Sequence, residues 1–137
     1  MRALVAACVL LCTAACGGDD SPTAPTMASI AGVWNLQTVN GSPLPFVAAQ
    51  SGSDKIEVLG DAITVTANAT FTQLTQLRVT QGGQTSTQSV PDAGSYTLTG
   101  KTVTFTFDSD GSSGTGTLNG NVLTVAESGI SLVYRKQ

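Results

Sequence analysis

The chain has 137 residues, and only 11% of them are charged, against roughly 25% in typical soluble domains. Its net charge is −3 and no basic patch occurs, so nucleic acid is a poor partner. The sequence contains no histidine, which excludes Ser-His and Cys-His catalysis and the commonest zinc sites. It also has no glycine-rich phosphate loop and no hydrolase motif. We therefore expect a protein that is not an enzyme and needs no cofactor or metal.

Residues 1–15 have the features of a secretory signal peptide. Met1-Arg2 is a basic start, and Ala3 to Leu11 is an apolar run too short to span a bilayer. The small residues Thr13-Ala14-Ala15 then precede Cys16. This arrangement resembles the lipobox of bacterial lipoproteins, although Thr13 stands where leucine is commoner. The resemblance implies that the signal is cut before Cys16, which would then carry acyl chains such as palmitate. An ordinary secretory signal with a stray cysteine is the alternative.

Residues 16–28 are predicted to be a flexible tether behind the lipidated cysteine. The run from Gly17 to Ala28 consists mainly of small and polar residues with little to bury. Fully extended, such a segment reaches about 40 Å. Cys8 and Cys12 would leave with the signal and lipid would consume Cys16, so no cysteine remains for a disulfide or a metal. We expect a lipid anchor in the bacterial cell envelope, at the outer membrane, facing the periplasm or the cell surface.

The folded domain, residues 29–137, is predicted to begin with a strand from Ile30 to Asn40. Alternation at period two places Trp34, Leu36 and Thr38 on one face. Trp34 is the only tryptophan and brings the largest apolar surface, so we expect it inside the domain. Gly32 leaves room on this strand for the close approach of another backbone.

The triplet Gly32-Val33-Trp34 resembles the Gly-x-Trp signature at the first strand of lipocalins. The segment that follows the strand also resembles small bacterial lipocalin-like domains, and the resemblance covers residues 29–137. It implies an all-β, antiparallel up-and-down barrel of about eight strands that binds a small molecule. In lipocalins a late arginine packs on the tryptophan across the closed end, and Arg135 in Tyr134-Arg135-Lys136 is the matching candidate. A β-sandwich is the structural alternative.

The middle of the chain is predicted to consist of strands separated by proline- and glycine-containing segments. Between Asn40 and Asp54 prolines interrupt any strand, and the apolar run from Phe46 to Ala49 is expected to form a helical turn, a lid over a cavity, or a plug over the core. Three carboxylates, Glu57, Asp61 and Glu127, are expected to be surface charges. The predicted strands are 56–59 and 62–67, which together are one strand if the chain bends at Gly60-Asp61, then 70–80, and 85–90 ending at Pro91.

The last third of the domain contains an internal sequence repeat, and each copy is predicted to form a hairpin. Thr97 to Phe105 resembles Thr117 to Val125, and each copy has a glycine turn. Loops at Thr99-Gly100, Asn119-Gly120 and Ser128-Gly129 place the apolar residues of these strands on one surface and the threonines on the other. A slip of one residue would destroy this consistency. The inward residues that are also expected to contact any ligand are Phe71, Tyr96, Phe105, Phe107, Leu123, Leu132 and Tyr134.

Two functions are compatible with such a barrel. The first is a membrane-anchored monomer that binds a small apolar or amphipathic molecule. The second is an interaction protein, such as an inhibitor or assembly factor, with a filled barrel core. A continuous interior cavity of about 300 Å³ or more favours the first, because ligand pockets begin near that size.

Overall fold

The computed structural model describes residues 25–137, so the predicted signal peptide, Cys16 and most of the tether lie outside the described residues. Within this part of the chain no helix has the length and apolar character needed to cross a membrane. The elements are one short helix and ten strands. Their bounds are α1 Met27–Ile30, β1 Gly32–Val39, β2 Ser42–Pro43, β3 Phe46–Ser51, β4 Asp54–Val65, β5 Thr70–Gln81, β6 Gln84–Thr99, β7 Thr102–Phe107, β8 Ser113–Asn119, β9 Val122–Glu127 and β10 Ile130–Lys136.

The sheet closes because β1 is paired along both of its edges. Its residues pair with β10 on one side, as in Trp34 with Lys136, and with β4 on the other, as in Trp34 with Ile63. The remaining strands follow in chain order from β4 to β10, each antiparallel to the next. The ring therefore has eight strands, and β2 and β3 are additions at its rim. The predicted antiparallel barrel is confirmed.

The inward faces of the hairpins are those that the alternation predicts. Leu98 pairs with Val103, and Leu118 pairs with Leu123. The loops are Gly100-Lys101 and Gly120-Asn121, one residue later than expected, so each register differs from the prediction by two residues. A shift of two keeps every side chain on its own face. All the inward residues predicted in this part of the barrel are buried or partly buried in the core.

The predicted turn at Ser128-Gly129 is confirmed in register. Leu132 pairs with Val125, and Tyr134 pairs with Leu123. Both turn residues have positive φ, 48° at Ser128 and 81° at Gly129, and hairpin loops of two residues favour this conformation because it matches the twist of the strands.

For the middle strands the structure corrects two predictions and decides between two alternatives. Phe46–Ser51 is the strand β3, paired with β4, and is neither a helical turn nor a detached lid. For residues 56–67 the alternative of one bent strand is confirmed, since β4 is continuous and has a bulge between Val58 and Gly60. β6 does not end at Pro91 but continues to Thr99. Proline is tolerated there because β7 pairs with β6 only from Gly94 onward, which leaves Pro91 at a free edge.

One end of the barrel is closed around Trp34. The indole is 0% exposed, and its Nε1 donates a hydrogen bond of 2.8 Å to the carbonyl oxygen of Ile30 in α1. The ammonium group of Lys136 lies 5.6 Å from the centre of the indole ring and donates to the Ser29 carbonyl at 2.7 Å. The prediction that Arg135 covers the tryptophan is wrong. Tyr134 faces inward, so alternation turns Arg135 outward, where it is exposed, and places Lys136 over the ring.

The half of the barrel next to this closed end is solidly packed. The ring of Phe71 meets those of Phe105 and Phe107 edge to face, with centroids 5.1 and 5.3 Å apart. Gly94 lies beside them, and a Cβ at this position would overlap the carbonyl oxygen of Thr106 and the Phe71 ring. These rings and the close backbone approach fill this part of the interior.

Replacement of Trp34 by alanine should strongly destabilise the domain. The change removes a fully buried indole and its hydrogen bond to Ile30, so we expect a loss of about 3–5 kcal/mol in the free energy of unfolding. Urea unfolding followed by circular dichroism measures this loss.

In the wild-type protein the fluorescence maximum of Trp34 should be blue-shifted and move to the red on unfolding. A native maximum at the wavelength of an exposed indole would contradict the burial.

Candidate functional site

The opposite end of the barrel is open and holds a cavity of about 260 Å³. Beyond Asn35, β1 no longer pairs with β4, and the cavity lies between β1 and β10 on one side and β3, β4 and β5 on the other. Its wall comes from both the ring and the added strand β3. The lining residues are Leu36, Val39, Phe46, Ala48, Val58, Asp61, Gln73, Thr75, Glu127, Ser128, Ile130, Leu132 and Tyr134.

Most of the wall is apolar. Leu36 and Val39 come from β1, Phe46 and Val58 from the pair β3–β4, and Leu132 from β10. Phe46 and Val58 are direct partners in the ladder, and both pack against the edge of the hydrophobic core. Phe46 therefore extends the inner surface of the barrel beyond the ring itself.

A hydrogen-bonded carboxylate forms the polar part of the cavity. Asp61 on β4 is 7% exposed. Its Oδ2 accepts hydrogen bonds from the hydroxyl of Tyr134 at 2.7 Å and from Nε2 of Gln73 at 2.8 Å. Its Oδ1 accepts one from the hydroxyl of Thr75 at 2.7 Å. Burial and the adjacent Asp61 charge raise the pKa of Tyr134 well above its usual value, so this side chain acts as a neutral donor.

The expectation that Asp61 and Glu57 are surface charges is wrong. Asp61 lies two residues before the inward Ile63 and therefore points into the barrel. Glu57 is 5% exposed and lies beyond the bulge of β4. Arg78 donates to its two oxygens at 2.8 and 2.9 Å, and Lys55 lies 3.2 Å away. These two cations, Arg78 above all, hold the pKa of Glu57 at about 2.

A second cavity of about 220 Å³ adjoins the first at the mouth. The two share the lining residues Gln73, Thr75 and Glu127, and the second is bounded by Asp92 and Asp110. Glu127 is half-buried rather than a freely solvated surface charge. Burial raises its pKa, and the charges of Asp110, Asp61 and Asp92 raise it further.

The residues predicted to contact a ligand divide into two groups. Leu132 and Tyr134 line the cavity, and Phe107 lines the adjoining one. The other four residues belong to the packed half of the core and line neither cavity: Phe71, Tyr96, Phe105 and Leu123. The hydroxyl of Tyr96 donates instead to the carbonyl of Thr66 at the closed end, at 2.6 Å.

Sequence reasoning missed most of the cavity wall. Asp61, Gln73 and Thr75 are polar residues on inward positions, and their spacing from Ile63 and Phe71 was the available signal. Phe46 could not be placed, because nothing in the sequence shows that its segment pairs with β4. In the described part of the chain, no group of three or more acidic or cysteine side chains is arranged to hold a metal ion.

A larger concavity of about 810 Å³ lies on the outer side of the wall. It is lined by residues such as Ala62, Thr64, Thr72 and Leu74, which alternate with the inward residues of β4 and β5. Its lining residues lie mostly on the outer face of β4, β5 and β6, whereas the mouth cavity opens into the barrel interior, which makes the mouth cavity the better candidate for a binding site.

Comparison with known proteins agrees with this architecture. The family model of the lipocalin-like domain matches residues 30–125, which is more than half of the chain and extends from the end of α1 into β9. No curated protein matches the chain. Lipocalin-like domains are typically binding proteins, in keeping with a barrel that is filled at one end and open at the other. On its fold and on this match, the chain belongs to the lipocalin-like domain family.

Proposed function

We propose that this protein is a lipid-anchored binding protein of the cell envelope whose barrel mouth takes a compact, mainly apolar small molecule. The observation that carries the proposal is the cavity of about 260 Å³ at the open end of the barrel. Its volume is slightly below the value of about 300 Å³ at which ligand pockets begin. The adjoining cavity of about 220 Å³ shares three of its lining residues and extends the available space.

The shape of the interior favours a compact ligand over a long acyl chain. Aromatic side chains fill the closed half of the barrel, with Phe71 packed edge to face on Phe105 and Phe107. A long chain would need that space, whereas a ligand with one or two rings fits above it. The apolar side chains of the wall provide the area that a ligand buries, and the Asp61 cluster provides hydrogen-bonding groups that orient it.

The alternative function, protein–protein interaction, has weaker support. Five apolar side chains are exposed by 38–45%: Val47, Ile56, Leu74 and Val90 on β3 to β6, and Ile130 at the start of β10. They do not share one face of the sheet. Ile56 is next to Glu57, the partner of Val47, and Val90 is next to Pro91, the partner of Leu74. Alternation along each strand therefore puts the two members of each pair on opposite faces, so the exposed apolar side chains of this region are divided between the two faces of the sheet.

The membrane anchor rests on the sequence before the described domain. The small residues that precede Cys16 favour lipidation of this cysteine. The described chain enters at α1, which lies against Trp34 at the closed end of the barrel. A lipid on Cys16 would thus join the domain opposite the mouth, which leaves the cavity accessible from the side away from the tether.

Filling the cavity with a larger side chain should abolish binding. The uncharged dye N-phenyl-1-naphthylamine is a suitable probe, because its fluorescence rises in apolar surroundings. Leu132→Trp places an indole in the cavity and should lower the affinity for the dye by about tenfold or more, the effect of roughly 1.4 kcal/mol. Val133→Trp is the matched control, since Val133 is next on β10 and faces outward. Fluorescence titration measures both. Equal binding by Leu132→Trp and the wild type would overturn the proposed site.

Replacement of Cys16 by serine should release the protein from membranes. Serine cannot form the thioether to diacylglycerol, so the variant should remain uncleaved or become soluble, and in neither form carry lipid. Cell fractionation and the mass of the purified protein measure this change. Cys12→Ser is the control and should behave like the wild type. A Cys16→Ser protein that carries lipid and partitions as the wild type does would contradict the anchor.

A further inference from the structure

The interior of the barrel contains a carboxylate without a counter-charge. All three donors to Asp61 are neutral groups, those of Tyr134, Gln73 and Thr75. Glu57, the other buried carboxylate, shows the contrast, because Arg78 and Lys55 neutralise it. A buried charge is costly unless it is paired. Neutral donors satisfy the hydrogen bonds of Asp61 but leave its charge in place.

None of the cations of the described domain lines the mouth cavity. Residues 25–137 contain five lysines and arginines. Lys55 and Arg78 pair with Glu57, and Lys136 covers Trp34 at the closed end. Lys101 lies in the turn between β6 and β7, also at the closed end, and Arg135 is exposed on the outside. Neither of the two mouth cavities is lined by any of them.

The mouth instead gathers further negative charge. Glu127 lines both cavities, and Asp92 and Asp110 line the second. The raised pKa of Glu127 reflects its burial and then the charges of these neighbours, with Asp61 among them. The field at the mouth therefore attracts cations and repels anions. A fatty acid or a phosphorylated ligand would bring its own negative group against these carboxylates.

We propose that the ligand of this cavity is a compact apolar molecule that carries one positively charged ammonium group. The inference rests on the proposed function and names the class of ligand. The apolar body contacts Leu36, Phe46 and Leu132, and the ammonium group lies between Asp61 and Glu127. A carboxylate has about four acceptor positions, and Asp61 uses three of them within the protein. One position remains for the ligand, and a charge-assisted bond in this shielded place is stronger than one in water.

Three probes with the same apolar body and different head groups test the charge of the ligand. They are 4-phenylbutylamine, which is a cation at pH 7, the uncharged 4-phenylbutan-1-ol, and the anion 4-phenylbutanoate. Isothermal titration calorimetry on the purified protein at low and at physiological salt gives the three affinities. We expect the amine to bind about tenfold more tightly than the alcohol, and the anion to bind more weakly than both. The preference for the amine should decrease as salt rises, because the negative field is screened.

Two charge-removing variants locate the effect. Glu127→Gln should lower the affinity for the amine by about fivefold or more and that for the alcohol by a smaller factor, so that the ratio of the two affinities falls. Asp108→Asn is the control, since it removes the same charge from the same end of the barrel at a residue that lines neither mouth cavity. Glu127 is the better position for the test, because replacing Asp61 would also disrupt three hydrogen bonds of the barrel interior.

The outcomes separate this inference from the proposed function. If the alcohol or the anion binds as well as the amine, the cavity binds ligands and the cationic preference is wrong. If Glu127→Gln and Asp108→Asn weaken the amine equally, the effect is long-range charge and the assigned position of the ammonium group is wrong. If none of the three probes binds, and the uncharged dye also fails to bind, both the proposed function and the inference fall.

Discussion

The structure depends on the pairing of β1 along both of its edges. Without β1, the seven strands β4 to β10 would form an open sheet with two free edges, at β10 and at β4, and its inner face would be exposed to water. Because Trp34 pairs with Lys136 on one side and with Ile63 on the other, these edges are joined through one strand. The same strand continues toward the mouth, where Leu36 and Val39 form part of the cavity wall. Closure and cavity thus depend on successive residues of one strand.

The filling of the barrel decides where a ligand can bind. Toward the closed end, large aromatic side chains and close backbone approaches such as that at Gly94 pack the interior tightly. Toward the mouth the inward positions carry Asp61, Gln73 and Thr75, which are smaller and polar. The hydrogen bond from Tyr134 to Asp61 links β10 to β4 across β1. It therefore ties together the two strands that β1 separates, at the boundary between the packed core and the cavity.

The sequence predicted which residues face inward better than it predicted the exact pairing. The period of two is a strong constraint when one face is buried, so the faces of Tyr96, Phe105 and Leu123 were predicted correctly although two loops moved by one residue. The same alternation also gives the observed arrangement at two positions where the prediction was wrong. It places Lys136, and not Arg135, beside Trp34, and it places Asp61 on the face of Ile63. In both cases a family pattern or a general expectation about charges was preferred to the alternation.

The position of the cavity could not be predicted from local patterns. It depends on β3, whose sequence reads as a connection between prolines, and on the bulge in β4 that changes which residues before Gly60 face inward. Both features are set by long-range pairing. The length of β6 was missed for a related reason, since Pro91 is tolerated only because the neighbouring strand β7 ends at Phe107, opposite Gly94.

The most direct test of the account is a crystal structure of the mature protein with 4-phenylbutan-1-ol bound. This probe is uncharged, so its position depends on the cavity and not on the proposed preference for a cation. We expect its ring between Leu36, Phe46 and Leu132, with its hydroxyl directed toward Asp61 and the aromatic core around Phe71 unchanged. A ligand found only on the outer wall, or a mouth filled by the side chains of β3 with no space for the ring, would contradict the account.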